Sequence, residues 1–259
     1  MSARSRKEIS PTRKGAVTPM HPRAATAARD VLREGGTAHD AALTALSTIS
    51  VAEPFMSGLG GHGALLVAPP DGAPYVLDAS ARGPAQTPHL PPPARGVGSI
   101  PVPHAISGWI GLYEDGARRD LHEALAPAIH AARDGLPVAW YTALMIASHA
   151  RLLNGDPEAR RIFLASDGLP PQAASSTRSP ADLLPQPDLA ATLQRVAQNG
   201  LAELTIGETA ERIARHVASN GGYVTEDDLA TVTPAKRSAP LKGHYRGFTI
   251  HAGPSASAA

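Results

Sequence analysis

The sequence predicts a mixed fold of helices and sheet, α/β (α+β), and three consecutive stretches predict it. Residues Ala38 to Ala52 are apolar almost all round, with Ala41, Ala42, Leu43, Ala45, Leu46, Ile49 and Val51. A helix of that kind belongs in a core, covered on several sides. The loop Ser57-Gly58-Leu59-Gly60-Gly61-His62-Gly63 follows, an elbow in which backbone can turn and approach a neighbour closely. Then Ala64 to Ala68 and Tyr75 to Ala79 read as short strands, joined by the turn Pro69-Pro70-Asp71-Gly72.

From the start of the chain, Ala16-Val17-Thr18 reads as a short strand and His21 to Glu34 as a helix. That helix has Ala24, Ala28, Val31 and Leu32 on one side and Gly35 as its stop. The buried helix comes next, with Asp40 in its first turn, where a negative charge meets the positive end of the helix dipole. Asp40 is therefore expected to hold the helix start or a neighbouring loop. Pro54 ends the helix. Residues 84 to 104 are proline-rich and extended. Ile106 to Asp115 reads as a helix, and Leu121 to Asp134 as an amphipathic one with Leu121, Leu125 and Ile129 in register. Pro127 should kink that helix unless the carbonyl it frees finds another partner. Val138 to Leu153 is a further helix, with Trp140, Leu144, Ala147 and Arg151 in register. Residues 166 to 187 are polar, broken by prolines, and read as a mobile surface loop. Leu189 to Gln198 and Glu208 to Asn220 are helices, the second capped by Gly221. Thr225-Glu226-Asp227-Asp228 reads as a capping box with Asp in the usual Glu position, and Asp227 and Asp228 as capping, solvated residues. Gly247 to His251 reads as a last strand.

Composition narrows the function. The chain has 259 residues, with 24 Lys plus Arg against 23 Asp plus Glu. That balance predicts neither nucleic acid nor an anionic membrane as partner. Cysteine is absent, which excludes disulfides, thiolate zinc sites and cysteine nucleophiles. No stretch is long and apolar enough to span a bilayer. Residues 1–14 are basic with no apolar run behind them, and read as the disordered leader of a cytoplasmic protein.

Gly58-x-Gly60-x-x-Gly63 matches the dinucleotide fingerprint, but that motif needs a strand before it and a helix after it. Here the predicted order is the reverse. The histidines show no metal spacing, so neither a cofactor nor a metal is expected. His62, in the elbow, reads as exposed or locally bonded.

The series Gly35-Gly36, Asp40-Ala41-Ala42, Glu53-Pro54, Ser57-Gly58-Leu59-Gly60-Gly61, Leu65-Leu66-Val67, Asp78 and Gly83-Pro84-Ala85 resembles the start of the gamma-glutamyltranspeptidase family. Ser107-Gly108-Trp109, Ala132-Arg133-Asp134-Gly135, Gly221 to Leu229 and Tyr245-Arg246-Gly247-Phe248 continue the likeness from about Gly15 to the C-terminus. The resemblance implies an N-terminal nucleophile hydrolase, an αββα sandwich that is incomplete in this chain. Such enzymes are made as one chain and cut themselves to free a threonine nucleophile. Many of them are exported.

In the family, an arginine near the end of the second hairpin strand binds the α-carboxylate of the glutamyl group, a task suited to a planar guanidinium. Aligned on Pro84, that position is Ser80 here, and the nearest arginine is Arg82. A two-residue shift along a strand keeps the same face, so Arg82 is expected to reach the pocket one pleat away, or else to be a surface residue. Arg82 and Ser80 are thus the substrate-binding candidates. The Thr-Thr/Ser-His nucleophile stretch is not found in the sequence, and Ser255 and Ser257 are not expected to replace it. No catalytic residue is therefore assigned. Residues 15–259 are read as the N-terminal portion of such an enzyme, truncated before the threonine. The expected partners are a small-molecule amide and a separate catalytic subunit or C-terminal half. Two alternatives are a non-catalytic remnant or partner-binding subunit, and a specialised-metabolism relative acting on a non-glutamyl substrate.

Overall fold

A computed structural model describes residues 15–87, 93, 95–174 and 180–253. The expected leader, Pro91-Pro92, part of the loop at 166–187, and Ser255 and Ser257 lie outside the described residues. The helices and strands run α1 Pro22–Arg33, α2 Ala38–Ala52, β1 Gly63–Val67, β2 Tyr75–Ala79, α3 Ala105–Gly116 and α4 Leu121–Asp134. Next come β3 Leu136–Pro137, α5 Trp140–Leu153, α6 Pro157–Phe163, β4 Leu183–Leu184 and α7 Pro187–Asn199. The last are α8 Glu208–Ser219, α9 Glu226–Ala230, β5 Arg237–Ser238, β6 Leu241–Tyr245 and β7 Phe248–Ala252.

Helix α2 is central, packing on α1, α3 and α4. Its start is fixed by a reciprocal box. The Asp40 carboxylate accepts from Thr37 N at 2.8 Å, and the Thr37 hydroxyl accepts from Asp40 N at 3.1 Å. The helix is buried nearly all round, as expected, yet Thr44, Ser47, Thr48 and Ser50 share the buried positions with Leu43 and Val51. Ser47 and Ser50 donate to helix carbonyls, whereas among the described residues the hydroxyls of Thr44 and Thr48 have no partner.

The main sheet has the order β1-β2-β5, antiparallel throughout. Helix α3 lies on it very closely. A Cβ at Gly108 would stand 3.1 Å from the Ala79 Cβ, so glycine permits this approach. Leu43, Leu77, Trp109, Leu125, Leu193 and Leu229 join in one core between the sheet, α2, α4 and α7. Helix α4 runs unbroken through Pro127. A satellite cluster of Val138, Ile146 and Leu184 ties α5 to the short β3–β4 ladder. The hairpin β6–β7 forms a sheet of its own, with Leu241, Tyr245, Phe248 and Ile250 all exposed.

Several local expectations are corrected. Ala16 to Thr18 forms no strand: among the described residues it belongs to neither a helix nor a sheet. The register Trp140, Leu144, Ala147, Arg151 is the outer face of α5, with Trp140 71% exposed, and Thr142 and Ile146 face inward. Asp228 is buried rather than solvated, although it does close the expected capping box.

Candidate functional site

The elbow and the end of the hairpin meet, and backbone hydrogen bonds hold them together. Gly61 N donates to Gly58 O at 3.0 Å, closing a turn that crowds any side chain: a Cβ at Gly61 would lie 3.1 Å from that oxygen. Gly61 O then accepts from His104 N at 3.1 Å and Ala105 N at 2.8 Å. The start of α3 thus grips the elbow. The glycine motif is followed by β1 and not by a helix, so it lacks the helix N-terminus that a dinucleotide phosphate needs.

Gly63 pairs with Ala79 in the last rung of the hairpin register, so the elbow enters β1 where the chain leaves β2 for Ser80. Strand β2 stops there because Asp78 folds onto its own backbone. Its Oδ1 accepts from Ser80 N at 3.0 Å and from the Ser80 hydroxyl at 2.6 Å. The chain resumes pairing at Arg82, which makes a single bridge to Val102, with Val102 N donating to Arg82 O at 2.9 Å. The turn interrupts the pleat between Ala79 and Arg82, so strand alternation does not set the direction of Arg82. The Arg82 side chain is exposed, and among the described residues its guanidinium has no hydrogen-bond or ionic partner. His62 is exposed as expected.

Sequence reasoning missed the anchor of this rim. Asp228 accepts from Ala85 N at 2.8 Å through Oδ1, while its Oδ2 accepts from Thr225 N at 2.9 Å. One buried carboxylate therefore caps α9 and fixes the chain three residues beyond Arg82. Burial pushes the Asp228 carboxyl up, but the N–H groups of Ala85 and Thr225 and the Thr225 hydroxyl outweigh it and hold it below the usual range. The capping box itself is visible in the sequence, but the free Oδ1 and its distant partner are not.

Asp40 works in the same way. Its Oδ1 accepts from Arg118 N at 2.8 Å and Arg119 N at 3.0 Å, joining the start of α2 to the turn before α4. Asp115 takes three donors from three elements: Tyr75 OH, His39 Nε2 at 2.9 Å and Arg237 Nε at 2.5 Å. This cluster clamps β5 to β2 and α3. Among the described residues, no group of three or more His, Asp or Glu side chains is placed to hold a metal ion. A cavity of about 470 Å³ lies between α1 and α4 and is lined by none of the elbow or hairpin residues. Beside the rim, between α3 and β1, lies a smaller cavity of about 100 Å³.

The gamma-glutamyltranspeptidase family model matches residues 24–259. The chain belongs to that family. Among curated gamma-glutamyltranspeptidase relatives, it is 35% identical over 251 residues to the oxamate amidohydrolase proenzyme of Klebsiella pneumoniae, covering 91% of this chain and 45% of that protein. It is 31% identical over 254 residues to the acylase ACY 1 proenzyme of a Pseudomonas species, covering 92% and 44%. The chain thus spans less than half the length of these relatives. The solved gamma-glutamyltranspeptidase of Helicobacter pylori superposes with a TM-score of 0.88 at 25% identity, over 97% of this chain and 73% of that one. The N-terminal nucleophile hydrolase fold expected from the sequence is borne out, and it is present here in part.

Proposed function

We propose that this chain is the substrate-recognising part of an amide-cleaving gamma-glutamyltranspeptidase-family enzyme, and that Arg82, with Ser80 beside it, receives a substrate carboxylate. The observation that carries this reading is the juxtaposition of an exposed Arg82, unpaired among the described residues, with the glycine elbow, on a rim fixed by Val102 N and Asp228. A guanidinium without an internal partner is free to pair both oxygens of a carboxylate. The nearby relatives named for oxamate hydrolysis and for acylase activity support an amide substrate, and oxamate carries a carboxylate next to its amide carbonyl.

The reaction is acyl transfer through a threonine ester, to water or to an amine. The threonine and its oxyanion donors come from a further segment or second polypeptide, outside the 259 residues described by this sequence. This chain holds the substrate in place and positions its amide.

The test is the intact mass of the protein purified from its own source together with whatever co-purifies. A second polypeptide beginning with threonine, and turnover of oxamate or a gamma-glutamyl amide by the pair, is the expected result. A lone, inactive chain with the mass of these 259 residues overturns the reading.

A further inference from the structure

The hairpin β6–β7 sorts its side chains by face. Its register pairs Leu241 with Ala252, Gly243 with Ile250 and Tyr245 with Phe248, and residues directly opposite share a face. One face is therefore wholly apolar. Lys242 pairs with His251 and His244 with Thr249, so the other face is polar. Leu241, Tyr245, Phe248 and Ile250 are each at least half exposed, and among the described residues the hairpin pairs with no other strand. A two-stranded hairpin left alone in water is marginally stable at best, and an apolar face of this kind calls for a cover.

The turn adds a charge. Arg246 and Gly247 form a two-residue turn with φ of 46° and 81°. Among the described residues Arg246 is the only non-glycine with a positive φ, a conformation that glycine or asparagine adopts with less strain. Its guanidinium lies 5.3 Å from the centre of the Tyr245 ring, beside the apolar face, and among the described residues it has no ionic partner. Residues 241–252 include Lys242 and Arg246 and no Asp or Glu.

We propose that the apolar face of β6–β7 is the docking surface for the part of the enzyme outside these 259 residues, and that Arg246 pairs there with a carboxylate of that part. Two observations choose this occupant. The curated relatives are more than twice as long as the part of them that this chain matches. The hairpin also leaves the main sheet directly, since only Ala239 and Pro240 separate it from β5, the edge strand paired with β2. A polypeptide laid on the hairpin therefore adjoins the sheet whose second strand leads to Ser80 and Arg82. The face dictates the occupant's chemistry: an apolar strip with an Asp or Glu set opposite the turn. The inference rests on the reading above, which gives that polypeptide the nucleophile.

The chain has no cysteine, so single Cys variants report each face by maleimide labelling. Ile250→Cys reads the apolar face and Thr249→Cys the polar one. Each is compared in the dilute 259-residue chain and in the assembly purified from the protein's own source. In the assembly, Ile250→Cys should label more slowly by about tenfold or more, while Thr249→Cys stays within about twofold of its rate in the chain alone. Arg246→Gly relaxes the turn, so an arginine without a partner predicts protection unchanged or increased, whereas pairing with a carboxylate predicts that most of it is lost. Ile250→Cys labelling equally fast in both states overturns the proposal. So does protection by phosphatidylserine vesicles that the assembly does not provide, or oxidation of Ile250→Cys in the assembly into a covalent pair of this chain. Protection undiminished by Arg246→Gly overturns the carboxylate pairing. If the assembly contains a threonine-led polypeptide and cleaves amides while Ile250→Cys labels freely, the docking inference fails and the functional reading stands. If the face is protected but no amide is cleaved, the functional reading fails and the docking surface stands. A lone chain that labels freely overturns both.

Discussion

Arg82 and Asp228 divide the work at the rim. Arg82 supplies an exposed charge with no partner among the described residues, and Asp228 supplies the geometry by holding Ala85 N. Their substitution should therefore show in different measurements. In the assembled enzyme, Arg82→Ala should raise KM for a carboxylate-bearing amide by about 10- to 100-fold, as expected for loss of charge-assisted hydrogen bonds of about 1.5–3 kcal/mol. Ser80→Ala should change KM far less, since its hydroxyl is spent on Asp78. Equal small effects would remove the carboxylate assignment. Asp228→Ala should instead lower stability by about 2–3 kcal/mol, because it removes the charge-assisted bond from Ala85 N and half of the capping box of α9 together. Thr225→Ala, which removes only the capping hydroxyl, should cost about 1 kcal/mol in the same urea titration. If the two losses are equal, the Ala85 bond contributes nothing.

At the scale of elements, α2 and α4 are read from the sequence to the residue. Both carry a strong local start signal, Thr37 with Asp40 in one and Asp120 in the other. The hairpin is legible for the same reason: Pro69 to Gly72 is a turn whichever tertiary context surrounds it. What is not legible is whatever depends on distant partners. The two-residue strands β3, β4 and β5 exist only because another segment pairs with them, and no periodicity fits in two residues. The register of α5 is readable but its facing is not, since apolar Trp140 and Leu144 turn outward and Thr142 turns in. Helix α6 was readable and missed, for Asp156-Pro157 is a cap followed by proline at the first helical position. At the site, the sequence reveals the elbow, the hairpin and the candidate arginine, but not the turn at Asp78 or the Asp228 anchor. Helix α2 yields a test of its own. The Thr44 and Thr48 hydroxyls are buried, and among the described residues they have no partners. Thr44→Val keeps the shape and removes that polar group, so it should raise stability by about 1 kcal/mol by thermal or urea unfolding. A destabilisation would mean that the hydroxyl is hydrogen-bonded in solution.

For the whole molecule, stability should depend on pH in one direction. Burial pushes the Asp40, Asp115, Glu203 and Asp228 carboxyls up. In each, the hydrogen bonds it accepts outweigh that effect and hold it below its ordinary value. Unfolded carboxyls bind protons more readily, so this stabilisation is present above the usual carboxylate range of about 4 and is lost as pH falls through the lowered native values. His21 adds to the same trend. Its burial lowers its pKa despite the opposing charge of Glu53, so the unfolded state takes up a proton first, beginning below about 6.5. The urea midpoint should therefore fall gently from pH 7 to 5 and steeply below 4. A flat profile to pH 3 would contradict the carboxylate network. The exposed apolar hairpin β6–β7 predicts a second property of the isolated chain, concentration-dependent association, which Phe248→Asp should reduce in sedimentation measurements.

The construction of the rim bears on how such a protein diversifies. The elbow is tied by Gly61 backbone, the Arg82 segment by its own carbonyl, and the Ala85 segment by a carboxylate on a remote helix. None of these ties uses the side chains of His62 or Arg82. Those two positions are therefore free to vary without loosening the surface that displays them. A lineage built this way changes what it recognises one exposed residue at a time, and it keeps its fold through every intermediate.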